Sequence, residues 1–140
     1  MALRAIVFDF DGVIADTEPL HYRSFRDILA GEHIALSEPE YYERYLGFDD
    51  VAAFYAIGAD RGRTWTPGHV AELATRKAAH IETLERDVSV LFPGADGAIR
   101  RAAEAVPLAI ASGAIGAEIR RVLDRHDLTR YFAGNLGLHD

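Results

Sequence analysis

The sequence predicts an α/β fold in which a small parallel sheet is interrupted by a long helical insert. Three observations carry this expectation. Residues 3–8 form a short, almost wholly apolar run that ends abruptly in Asp9-Phe10-Asp11-Gly12. A second such run, Pro107-Leu108-Ala109-Ile110-Ala111, is closed by Ser112-Gly113. Between the two, residues 16–88 carry helical signals alone. Short apolar runs closed by turn residues are the pattern of strands buried in a parallel sheet. Parallel strands in turn require crossovers, usually helical.

The elements follow in order. β-branched Ile6 and Val7 favour a strand before the acidic turn. Thr17 can cap a helix that runs to Gly31. Ser37 and Glu40 have capping-box spacing before a short helix that ends near Gly47. Asp49 or Asp50 can cap the next, which closes near Gly58 to Gly62. Thr66-Pro67 places a capping hydroxyl before a proline at the first helical position, and opens a long helix to about Arg86. Pro93-Gly94 opens a helix through Ala105. After the second strand comes a helix with Ile115, Ile119, Val122, Leu123 and His126 on one stripe. Residues 131–140 make a poor strand. Two strands are too few to make a stable sheet alone, so the sheet reads as incomplete.

Composition removes several functional classes. The 140 residues carry 15 basic and 22 acidic side chains, a net charge of −7. Phosphate backbones demand clustered Lys and Arg, so a nucleic-acid partner is not expected. No apolar run approaches the roughly 20 residues that span a bilayer, so neither is a membrane. The acids at Asp9 and Asp11 interrupt the first apolar run too early for a secretory signal. With no cysteine, disulfides, thiolate metal sites and cysteine nucleophiles are excluded, which fits a cytoplasmic protein.

Asp9 and Asp11 stand at the carboxyl end of the first strand, the edge where open α/β sheets bind ligands. A spacing of two puts both side chains on the same side of an extended backbone. Two carboxylates held together repel, which argues against a purely stabilising role. Gly12 allows a tight turn and close approach of a ligand. The same residues also fit a strand end capped by turn-forming Asp and Gly. A calcium loop fits less well, since its usual frame has a helix upstream and more oxygen ligands downstream.

The longer motif Val7-Phe8-Asp9-Phe10-Asp11-Gly12-Val13-Ile14-Ala15-Asp16-Thr17-Glu18-Pro19 closely resembles the first signature of the haloacid dehalogenase-like hydrolases. It is most similar to the branch that includes phosphoglycolate phosphatases and β-phosphoglucomutases. Leu108-Ala109-Ile110-Ala111-Ser112-Gly113 resembles the second signature, and Phe92-Pro93-Gly94 the entry to the preceding helix. The resemblance implies a Rossmann-like parallel sheet, incomplete in this chain, formed by residues 1–15 and 89–140. It implies a helical cap domain over residues 16–88. The expected activity is magnesium-dependent hydrolysis of a small phosphorylated metabolite. Asp9 would be the nucleophile and Asp11 the general acid/base. Magnesium would be held by the Asp9 carboxylate and the Asp11 main-chain oxygen. Ser112, Gly113 and Gly12 would bind phosphate, although Ser112 also fits a simple helix cap.

Within residues 67–86, Val70, Leu73, Ala74, Lys77, Ile81 and Leu84 share one stripe, so Lys77 is expected to face inward. His21 aligns with Phe25, Ile28 and Leu29 in the same way. In related caps a His and a Lys lie near the substrate, which makes His21, Lys77 and Glu18 candidate substrate residues. A satisfied core histidine and a snorkelling lysine are the alternatives. Mutase-like relatives carry a Gly-x-x-Arg in the cap. Here Gly47 is followed by Phe48-Asp49-Asp50, which favours a phosphatase over a phosphohexomutase. A non-catalytic binding remnant is the third alternative. The family's later lysine has no counterpart, since Lys77 is the sole lysine. Of the acids after the second strand, Glu118, Asp124, Asp127 and Asp140, none follows an apolar strand. The resemblance ends near residue 132, so the chain is expected to be a truncated relative with poor turnover.

Overall fold

The computed structural model describes residues 2–111 and 116–132. In chain order the elements are β1 (Ile6–Phe8), α1 (Glu18–Ala30), α2 (Glu38–Glu40), a π-helical turn (Tyr41–Tyr45), α3 (Asp50–Asp60) and α4 (Pro67–Glu85). They continue with α5 (Ala95–Ala105), β2 (Leu108–Ile110), α6 (Gly116–Arg125) and a 3-10 turn (Thr129–Tyr131). The chain divides into two compact units, one of Met1–Thr17 with Val90–Asp140 and the other of Glu18–Ser89.

The first unit is α/β. β1 and β2 pair in parallel, with Ile6 opposite Leu108, Val7 opposite Ala109 and Phe8 opposite Ile110. β1 is shorter than the apolar run suggests, because residues 2–5 are exposed and only residues 6–8 enter the ladder. Leu108 and Ile110 are buried. α6 turns Ile119, Val122 and Leu123 into the core as the spacing predicts. Ile115 of that stripe lies outside the described residues, and His126 follows the end of the helix. Phe132 forms a parallel bridge with Leu108, and its ring meets that of Phe8 edge-on at 6.2 Å. The segment read as a poor strand therefore begins with one sheet-like residue; residues 133–140 lie outside the described residues.

The second unit is helical. Three of the predicted caps form: Ser37 accepts from Glu40 N at 3.3 Å, Asp49 from Ala52 N at 2.8 Å and Thr66 from His69 N at 3.1 Å. Each satisfies an otherwise orphaned amide at a helix start. One continuous core runs through Phe25, Leu29, Tyr41, Tyr45, Phe54, Ile57, Val70 and Leu73. A fully buried Phe or Leu contributes about 1.5–3 kcal/mol by area, so this cluster is the unit's main source of stability. Gly58 sits inside α3 rather than ending it. A Cβ there would come within 2.5 Å of the Trp65 ring, so only glycine lets the indole close on the helix. The segment after α2 is wound as a π-helix, which the sequence does not announce. It buries both Tyr41 and Tyr45.

Candidate active site

The loop after β1 is built on one carbonyl. Phe10 O accepts from Val13 N at 3.3 Å, Ile14 N at 2.9 Å and Ala15 N at 3.1 Å, while Gly12 N donates to Ala15 O at 2.9 Å. Phe10, Ile14 and Ala15 are buried and anchor the turn in the first unit. Gly12 takes φ +80°, a left-handed conformation that side chains disfavour, and a Cβ there would touch nothing within 4 Å. Glycine is thus required by the backbone bend alone. On the far side, Asp16 N donates to Val90 O at 2.7 Å and Phe92 N to Ile14 O at 3.0 Å. The loop is held at both ends.

Asp9 and Asp11 flank the buried Phe10, and both are exposed. This follows from alternation: the apolar residue between them points to the core, so the acids cannot. Ala111 N donates to Phe8 O at 3.0 Å, which extends the strand pairing to the residues just before Asp9 and Ser112. Ser112 and Gly113 themselves lie outside the described residues. The Asp9 carboxylate and the Asp11 main-chain oxygen are hard donors of the type magnesium takes. Magnesium commonly uses one or two carboxylates and completes its shell with water and phosphate. The donor chemistry therefore fits that ion. No group of three or more His, Asp or Glu side chains gathers as a metal site among the described residues.

The second unit holds the other candidate residues. Lys77 is 1% exposed, as its place on the apolar stripe of α4 predicts. Its Nζ lies 2.6 Å from His21 Nδ1 and 2.8 Å from Asp50 Oδ1, and 4.5 Å from the centre of the Phe25 ring. Ser24 Oγ donates to Lys77 O at 3.2 Å, fixing the register of α1 on α4. His21 and Lys77, 56 residues apart, are thus brought together. Glu18 goes elsewhere: its Oε2 accepts from the Tyr41 hydroxyl at 2.9 Å. Burial, and then the Glu18 carboxylate, push the Tyr41 hydroxyl's pKa well above the ordinary tyrosine range.

Asp50 is the residue that sequence reasoning missed. The signal was the tandem Asp49-Asp50 before α3. A helix start uses one capping carboxylate, and Asp49 takes that role, which leaves Asp50 to a partner that local spacing cannot name.

Several comparisons bear on this arrangement. A family model described as haloacid dehalogenase-like hydrolase matches residues 6–140. No curated protein matches the chain. Among solved structures, a Thermotoga maritima protein described as a β-phosphoglucomutase superposes with a TM-score of 0.78 at 21% identity, covering 96% of this chain and 61% of that one. A point mutant of CbbY from Rhodobacter sphaeroides, solved with xylulose-1,5-bisphosphate, gives 0.73 at 22% identity, covering 94% and 61%. The Bacillus subtilis protein YfnB, described as a HAD hydrolase and solved with magnesium bound, gives 0.74 at 18% identity, covering 95% and 64%. The chain thus spans less than two thirds of the length of these structures. At such identities they establish the fold, while the family model covers nearly the whole sequence. The chain belongs to the haloacid dehalogenase-like hydrolase family.

Proposed function

We propose that the protein hydrolyses the phosphate monoester of a small metabolite through an aspartyl-phosphate on Asp9. The observation that carries this reading is the pair of exposed carboxylates either side of buried Phe10, on a loop pinned by three amides to one carbonyl. Such a loop holds its acids in place without moving parts, which is what in-line displacement needs. The Asp9 carboxylate attacks phosphorus as the ester P–O bond breaks. The Asp11 carboxyl gives its proton to the leaving alkoxide. Asp11, now ionised, takes a proton from water; the resulting hydroxide attacks the phospho-enzyme, releases inorganic phosphate and regenerates Asp9. When bound, magnesium offsets the repulsion between the Asp9 carboxylate and the phosphate oxygens. Ser112 and Gly113 receive the phosphoryl oxygens through main-chain amides and the serine hydroxyl, while Gly12, whose own amide is spent on Ala15 O, leaves room for the ligand to approach. His21, Lys77 and Glu18 are the candidate substrate residues of the second unit.

A hydrolase is favoured over a phosphohexomutase by the residues after Gly47. Phe48, Asp49 and Asp50 supply no cation to hold a second phosphate. The test is release of nitrophenolate from p-nitrophenyl phosphate with and without magnesium. Magnesium-dependent release that falls by at least about a thousandfold in Asp9→Asn is the expected result. Release that survives Asp9→Asn would remove Asp9 as nucleophile.

A further inference from the structure

We infer that the exposed face of α3 is a docking surface for a second copy of this chain, in which two α3 helices pack antiparallel about a twofold axis at Tyr55. The surface belongs to the helical unit alone and is independent of the phosphate-ester reading above.

α3 is apolar on every side. Between the acids at its ends, Asp50 and Asp60, it reads Val-Ala-Ala-Phe-Tyr-Ala-Ile-Gly-Ala. Ala53, Phe54, Ile57 and Gly58 are buried in the helical unit. The positions between those acids that are exposed are Val51, Ala52, Tyr55 and Ala59, and none carries a charge. α4 of the same unit, by contrast, exposes Glu72, Arg76 and Glu82. A surface helix turns polar and charged residues outward, and a helix that is apolar all round is covered all round. Val51 and Tyr55 are 46% and 40% exposed; Leu46 and Phe48, in the turn before α3, are 46% and 50% exposed. Large apolar side chains gathered on a surface in this way mark a protein contact.

Shape and charge select a second copy of the chain as the occupant. A twofold contact brings residue i of one copy to j of the other and j to i, so the surface must complement itself in reverse. Val51, Tyr55 and Ala59 lie along one i, i+4 ridge of the helix. Set against its own reverse, that ridge places Val51 opposite the partner's Ala59 and Tyr55 beside the partner's Tyr55. Large meets small at both ends, and the small Ala52 lies next to the central pair. Charge agrees with this direction. α3 starts at Asp49 and Asp50 and is followed by Arg61 and Arg63. Antiparallel packing lays the acidic end of one helix along the basic end of the other, where parallel packing would set like charges together. Asp49 and Arg63 are both exposed. Arg63 donates to a main-chain oxygen, Glu32 O, at 3.1 Å, a bond that leaves its charge uncompensated. Asp60, the acid at the basic end, is turned toward Arg44 and the Tyr45 hydroxyl. A membrane surface fits less well, because helices that lie on membranes carry Lys and Arg beside the apolar face, and α3 contains neither.

Each large exposed side chain leaves roughly 100 Å² in solvent, so the contact covers several hundred Å² per copy. That is the size of a weak, reversible interface, with a Kd on the order of tens of micromolar.

Sedimentation equilibrium of the 140-residue chain, from about 1 μM to about 1 mM, is expected to show monomer and dimer in reversible exchange. Tyr55→Lys sets two cations against each other at the axis and is expected to raise Kd at least about thirtyfold. Its urea melt, taken where both proteins are monomeric, is expected to match that of the natural chain, since position 55 is exposed. The chain has no cysteine, so Tyr55→Cys carries a single thiol, and mild oxidation is expected to link it into a disulfide dimer. Ala59→Cys is expected to link poorly by itself and well when mixed with Val51→Cys. A monomer throughout the concentration range overturns the inference, whether the face is solvated, lies against the rest of the chain or meets a different protein. A dimer that Tyr55→Lys leaves unweakened overturns it too, because the copies then meet elsewhere. So does a Tyr55→Cys chain that does not link. If Tyr55→Lys fails to fold, sedimentation of the natural chain and the Tyr55→Cys link decide.

Discussion

The two candidate regions treat charge in opposite ways. In the first unit, Asp9 and Asp11 stand in solvent while an apolar residue between them is fully buried. Position is supplied by the backbone, through three amides on Phe10 O. In the second unit, charge is taken inside: Lys77 is buried and its position is supplied by other side chains. An exposed acid on a stiff loop costs little to keep ionised and stays open to a ligand. A buried cation must be fully paired, because an unpaired one costs several kcal/mol. The first arrangement leaves its charges open to solvent, and the second closes its charge away from it.

The sharpest way to break this contrast is through the core on which the second arrangement depends. Phe54 is fully buried beside Phe25, ring centres 5.0 Å apart. Phe54→Ala is expected to cost about 3–5 kcal/mol in a urea melt. Next comes the ion pair itself. Asp50→Ala strands the buried Lys77 and is expected to cost about 3 kcal/mol, whereas Lys77→Met replaces the cation by an apolar chain of similar length and stays within about 1 kcal/mol of the natural chain. Equal losses in the two variants would show that the pair, rather than the burial of an unpaired charge, sets the energy.

In the loop the corresponding test is Gly12→Ala. With no neighbour within 4 Å, only the left-handed backbone resists the methyl group, so a loss of about 1–2 kcal/mol is expected in the same melt. A larger loss would mean that the loop is packed rather than merely bent.

The smallest effect concerns pH. Hydrogen bonds from the Arg61 guanidinium at 2.6 and 3.1 Å hold the Glu40 carboxyl below its ordinary value of 4.5. A depressed folded value stabilises the protein above 4.5, and the benefit is lost as pH falls through that depressed value. Circular dichroism during acid titration should therefore show the natural chain more stable than Glu40→Gln at neutral pH, with the difference shrinking as pH falls below 4.5 and gone once it has passed the depressed value.

Much of this was legible in the sequence because it is local. The caps at Ser37, Asp49 and Thr66 each lie three residues from the amide they satisfy. The inward turn of Lys77 follows from helical spacing along α4. What was not legible is what crosses the chain. The pairing of Lys77 with Asp50 spans 27 residues and depends on how α3 packs on α4. The π-helical turn is decided by the burial of Tyr41 and Tyr45 against helices elsewhere in the sequence. The destination of Glu18, the Tyr41 hydroxyl, depends on that same turn. Placing Phe132 beside Leu108 likewise requires α6 and the 3-10 turn to bring it back to the sheet.

The bridge between residues 14–16 and 90–92 has a further consequence. The chain departs from the sheet and returns to it at neighbouring points, with Asp16 N bonded to Val90 O at 2.7 Å. The intervening helices are therefore spliced in like a cassette whose two ends are already clipped together. Lengthening, shortening or exchanging that cassette leaves the strand and its acidic loop untouched, so either unit can change without redrawing the other.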